Sequence, residues 1–242
     1  MTEKSEWQLS PRLERLVVIG LVAFFAIMAT AYSLTPLFVF LDEIGHYSHA
    51  RYYTTTLDLP DLYKSNDYLF SREYFQPPLY YWLAAVILPR GQNDELLLRE
   101  LSGTSDIGTV YQAKTDLDTP FPYQNNWLAF RAHFLRMLSV VIGILTVTTA
   151  YFLFRLIWPD SPTRRLLALA IVSLWPQLQY NSSLISNDPL ITFLSTLVLM
   201  LVVYQIRGGV SMRMSLLTGL LTGLALLAKS TGIALIVPVG LL

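Results

Sequence analysis

The chain has 242 residues, no formal net charge, 53% hydrophobic residues and only 14% charged ones. Soluble domains carry roughly 25% charge, so the composition points to a membrane protein, and the lack of any basic excess argues against nucleic acid as a partner. With no cysteine, neither a disulfide framework nor a thiolate metal site is open to it.

Residues 1–15 mix Lys4, Arg12 and Arg15 with Glu3, Glu6 and Glu14 and read as a short cytoplasmic segment, with an interfacial helix near Trp7. Residues 16–41 then carry no charge. At about 1.5 Å of rise per residue this run can cross a bilayer, and it is too long for the apolar region of a signal peptide. It is expected to be a retained anchor, with span one at 16–38 and Pro36 near its outer end.

The chain leaves this run at Asp42-Glu43-Ile44-Gly45-His46-Tyr47-Ser48-His49, which sets two carboxylates and two imidazoles at the membrane exit. A charge there costs little when it faces water, and it can still act on a substrate whose other half stays in lipid. Asp42 suits a helix N-cap, a general base or a metal ligand, with Glu43 as its partner or as an orienting acceptor. His46 and His49 lack the HExxH spacing of a zinc helix; His46 suits hydrogen bonding to a sugar-phosphate and His49 a packed position.

Residues 42–131 hold twelve acidic and seven basic residues and are too many to be structureless. One helix is expected over 43–57 and another over 78–88. The second is too short to span; Tyr80, Tyr81 and Trp82 at its start suit an interface, and Pro77 and Pro78 suit its first turn. Arg51, Lys64 and Arg72 suit surface, headgroup or phosphate contacts. Residues 91–127, with Gly103, Gly108, Pro120 and Pro122, read as a substrate loop or as a merely variable surface loop.

Four more spans are expected: 134–156, 166–180 with an interruption at Pro176, 190–206, and 214 to the end, where Gly219 and Gly223 allow close packing. Lys4, Arg12, Arg15, Arg155, Arg164, Arg165, Arg207 and Arg213 then fall on one side, which places the N-terminus in the cytoplasm. Asp42, the long loop, Ser186-Asn187-Asp188 and Lys229 fall together on the other. A lone lysine in an apolar span costs about 2.5–3.5 kcal/mol on insertion scales, so Lys229 is expected to snorkel or to meet a partner such as a lipid phosphate. Asp188 suits either the cap of span four or a second functional carboxylate. The run 233–242 is still apolar where the chain stops, which suggests the N-terminal part of a longer polytopic protein.

In order along the chain, Phe40-Leu41-Asp42-Glu43-Ile44-Gly45-His46-Tyr47, Gln76-Pro77-Pro78-Leu79-Tyr80-Tyr81-Trp82-Leu83, Arg136-Met137-Leu138-Ser139, Ser186-Asn187-Asp188-Pro189 and the Gly223 to Gly232 segment around Lys229 resemble the motifs of GT-C type membrane glycosyltransferases, in particular the protein mannosyltransferase and aminoarabinose transferase superfamily. The resemblance implies an all-α, polytopic GT-C-like transmembrane domain over 16–242, including an extracytoplasmic loop at 42–133, in a bacterial plasma membrane. It implies an inverting enzyme that takes a sugar from a polyprenyl-phosphate donor at the outer face. By position Asp42 becomes the base, Lys229 a contact to the carrier phosphate, and Pro77, Pro78 and Tyr80 the juxtamembrane wall. Some relatives bind a divalent metal, which here would be Mg or Mn held by Glu43 and Asp188. The partners implied are the lipid-linked donor and membrane lipids, with the acceptor open. Two other classes share these features: a transporter or flippase of a lipid-linked substrate, and a noncatalytic membrane assembly subunit.

Overall fold

Apolar runs bounded by capping and breaking residues become helices in the computed structural model, which describes residues 10–35, 37–38, 42–55, 58–60, 73–88 and 127–242. Helix α1, Pro11–Ser33, shows the start signals plainly. The Ser10 side chain accepts the Leu13 amide, Pro11 opens the first turn and Glu14 faces the positive end of the helix. It begins five residues before the expected span and stops at Ser33, five short of its expected end. Lys4, Pro36, Lys64, Arg72 and the loop expected at 91–126 lie outside the described residues.

Helices α2 (Glu43–Thr55) and α3 (Leu79–Ile87) follow, then α4 (Trp127–Ile157), α5 (Pro162–Leu174), α6 (Pro176–Asn181), α7 (Asp188–Gly208) and α8 (Met212–Ala228). A 3-10 turn at Ser230–Leu235 and the short α9 (Ile236–Val239) complete the order. Among the described residues there is no strand, and α1, α4 and α7 are long and apolar enough to cross a membrane, so the chain is an all-α polytopic membrane protein.

The two remaining expected spans are broken. Trp175 is pushed to an extended ψ of 110° by the following Pro176, which separates α5 from α6. Lys229 is likewise extended, at φ −158° and ψ 140°, and ends α8 after 17 residues.

Helix α4 packs along α7, α1 lies against α4 and α5, and α8 lies against α7. Phe25, Ala29, Val140, Val147 and Leu169 close the α1–α4–α5 contact. A larger cluster, including Leu37, Tyr47, Tyr80, Leu135, Ile191 and Val198, joins α2 and α3 to α4 and α7. Gly143 permits a close approach on α4: a Cβ there would sit 2.6 Å from the Cβ and Oγ of Ser182.

Polar clasps hold α1 at both ends. At its start Glu14 pairs with Arg165 at 2.9 Å and accepts the Tyr151 hydroxyl, while Arg165 also donates to the Trp158 and Pro159 carbonyls that close α4. At its other end Ser33 and Thr35 are bound by Arg136 of α4. The clasps stand about 28 Å apart at the helical rise, close to the roughly 30 Å of a bilayer's hydrocarbon core.

Candidate functional site

Arg136 is the buried hinge pin of the end that carries Asp42. A guanidinium in an apolar span is tolerated only with its donors satisfied, and those of Arg136 are. Its Nε and Nη2 donate to the two Glu43 oxygens, both at 2.7 Å, in the bidentate geometry that suits Arg and carboxylate. Its Nη1 donates to the Ser33 and Thr35 carbonyls at 3.0 and 2.5 Å, groups that the end of α1 leaves without helical partners. His133 Nδ1 also contacts the Ser33 carbonyl, at 2.9 Å.

Glu43 in turn accepts the amides of Phe38 at 3.0 Å and Ile185 at 3.2 Å. Phe38 holds a φ of 56°, an uncommon left-handed conformation for a bulky residue, and the Glu43 contact to its amide helps hold that turn. One carboxylate thus ties together the turn after α1, the start of α2, α4 and the turn before α7.

Asp42, one residue earlier, is left exposed. Its carbonyl accepts the His46 amide, and it lines a cavity of about 330 Å³ with Glu43, His46, Tyr180, Ser186 and Asp188. Beside that cavity Lys229 Nζ meets Asp188 Oδ1 at 2.5 Å, with both side chains partly open to solvent. The break at Lys229 puts the lysine at the end of α8, next to the first turn of α7. Asn187 fastens the two: its buried amide donates to the Ala228 carbonyl at 3.0 Å and to Gln76 at 3.2 Å. Gln76 precedes Pro77 and Pro78, so the proline segment is drawn to the same junction. Pro77 and Pro78 are half-buried and do not line the cavity, and Tyr80 is fully buried behind it.

His46 packs among these groups with its Nδ1 2.7 Å from the Tyr81 hydroxyl. Burial lowers the His46 pKa from 6.5 to about 4; Asp188 opposes the shift and Lys229 adds to it. Burial also raises the Tyr81 hydroxyl well above its ordinary value. The His46 imidazole is therefore neutral at pH 7. His49 is fully buried and stacked on Tyr81 with ring centroids 3.8 Å apart, a packing position.

The two residues suggested for a divalent ion are each turned toward a cation of the chain itself. Glu43 is saturated by Arg136 and two amides, and Asp188 is paired with Lys229. Among the described residues no group of three His, Asp or Glu side chains comes together as a metal cage.

The sequence placed Asp42, Glu43, His46, Asp188 and Lys229 on one membrane face, and the structure brings them to one junction. What it missed was Arg136 as the partner of Glu43. The signal was there: an arginine inside an expected span demands a partner as much as Lys229 does.

A family model described as dolichyl-phosphate-mannose-protein mannosyltransferase matches residues 109–242, more than half of the chain. The chain belongs to this family. Searches of curated proteins and of solved structures gave no match. The match to the mannosyltransferase family takes in Arg136, residues 186–188 and Lys229, and it leaves Asp42 and helices α2 and α3 outside. Membership makes the chain an integral membrane protein of a glycosyltransferase family whose donors are sugars linked to polyprenyl phosphate.

Proposed function

We propose that the protein transfers a sugar from a polyprenyl-phosphate donor to a hydroxyl or amine acceptor at the membrane face that carries Asp42, with inversion at C1. The observation that carries this reading is the pairing of roles at one cavity: an exposed carboxylate, Asp42, lines it together with Asp188, and Asp188 holds Lys229 beside it. Asp42 removes the acceptor proton as the acceptor attacks C1. The bond from C1 to the phosphate oxygen breaks, and the electron pair leaves with the lipid phosphate. Lys229, held by Asp188 before the donor binds, exchanges that partner for the phosphate and neutralises the charge that develops on it. His46, neutral and lining the cavity, hydrogen-bonds the sugar. No step runs through a metal.

Arg155, Arg164, Arg165, Arg207 and Arg213 all lie toward the opposite end of the bundle, which supports a cytoplasmic N-terminus and an outward-facing site. The test incubates the purified full chain with polyprenyl-phosphate sugars and a panel of acceptors, and determines the anomeric form of the product. Asp42→Asn is expected to lose at least about 100-fold in transfer while folding normally. Undiminished transfer by Asp42→Asn would remove it as the base, and a product of retained configuration would rule out direct displacement.

A further inference from the structure

The end of the bundle remote from Asp42 holds a second cavity, between α4, α7 and the start of α8. It measures about 480 Å³ and is walled by Phe152, Leu156, Met200, Leu201 and Met214, with Arg155 and Tyr204 as its polar residues. Arg155 stands about 28 Å from Arg136 along α4 at the helical rise, which puts it at the other boundary of the hydrocarbon.

Its guanidinium lies 5.9 Å from the centre of the Tyr151 ring and has no carboxylate partner among the described residues. Glu14, the acid that shares the Tyr151 side chain with Arg155, is already held by Arg165 and Tyr151. Arg207 donates to the Ile157 carbonyl, which adds a second cation to this end. An apolar cleft joined to an arginine that has no carboxylate partner among the described residues, at a membrane boundary, has the chemistry of a phospholipid. Soft methionine walls accept a chain of irregular shape, the arginine fork accepts a phosphate, and an exposed tyrosine suits the headgroup level.

We propose that this cleft binds an anionic phospholipid of the leaflet on the side of the α1 N-terminus, with an acyl chain between α4 and α7 and the phosphate on Arg155. The excess of arginine over acid at this end selects the anionic headgroup over a zwitterionic one. The site shares no residue with the Asp42 cavity, so it stands or falls apart from the transfer reaction.

The test purifies the full chain in mild detergent containing equal phosphatidylglycerol and phosphatidylcholine and counts retained lipid by native mass spectrometry. Wild type is expected to retain one phosphatidylglycerol with about a fivefold preference, the ratio that one interfacial arginine supplies. Arg155→Ala should bring the ratio close to one, and Met200→Trp, which fills the cleft, should lose the bound lipid. Arg51→Ala, at the opposite end, should retain it. Equal retention of both lipids by wild type, or unchanged phosphatidylglycerol on Arg155→Ala, would overturn the proposal. So would displacement of the lipid by an equal concentration of polyprenyl phosphate, which would assign the cleft to the carrier.

Discussion

Replacing Arg136 by methionine keeps an unbranched side chain on the buried face of α4 but strips Glu43 of its counter-charge. Losing one partner of a buried ion pair costs about 3–5 kcal/mol, because the other charge stays behind without compensation. The Thr35 carbonyl also loses its donor, at about 1–3 kcal/mol, whereas Ser33 keeps His133. The sum, about 4–8 kcal/mol, is a large part of the 5–15 kcal/mol typical of a folded domain. At roughly 2–4 °C per kcal/mol for a chain of this size, the melting midpoint should fall by at least about 8 °C. Intrinsic tryptophan fluorescence of the full chain in detergent reads the transition. The double variant Arg136→Met with Glu43→Leu should recover only part of the loss, since the stranded charge is gone but the Phe38 and Ile185 amides lose their acceptor. A midpoint within about 2 °C of wild type for Arg136→Met would refute the clasp. Adjacent residues should therefore behave oppositely: Glu43→Gln should lose stability, and Asp42→Asn should keep it and lose transfer.

Lys229→Met removes a pair whose partners are 24% and 44% exposed, so stability should change by no more than about 1 kcal/mol, while the KM for the donor should rise at least tenfold; an unchanged KM would separate Lys229 from the carrier phosphate. The lowered pKa of His46 means that the unfolded chain takes up the proton first, so stability is full above about pH 6.5 and is lost as the pH falls toward 4. The loss should approach roughly 3 kcal/mol, and His46→Gln should flatten the melting midpoint over that window; an equally steep profile in the variant would place the titration elsewhere. Gly143→Ala would drive a Cβ to 2.6 Å from Ser182 and should cost about 1–3 kcal/mol. Adding Ser182→Gly should return part of that cost, and strictly additive losses in the two variants would argue against the contact.

The helices were legible where length and apolarity act together, as in α7, expected at 190–206 and observed at Asp188–Gly208. Their ends were less so, because pairing conceals polarity. Helix α4 starts at Trp127, seven residues before its expected span, and its first turns carry Arg131, His133 and Arg136, all buried. Hydropathy counts Arg131 and His133 as flank and Arg136 as a charge inside the span, although burial makes all three core. The final span shows the same limit from the other side: Lys229 was read as a lone charge interrupting an apolar span that runs to the end, and it ends α8. Its partner Asp188 was read as either the cap of span four or a second functional carboxylate, and the pairing depends on a junction of α7 and α8 that no local pattern encodes. Pro176 was the exception, since proline acts on its own backbone and on the residue before it, and the break appears where the sequence placed it.

The clasps at the two ends of α1 bear on how the protein meets its membrane. A helix tethered at only one end adjusts to a thicker or thinner bilayer by tilting or sliding. Here Glu14 is held by α4 and α5, and Ser33 by α4, so α1 cannot shift along its axis without breaking an ion pair. Hydrophobic mismatch is then met by the lipid, at fractions of a kcal/mol per ångström, or by α1, α4 and α5 tilting together as one unit.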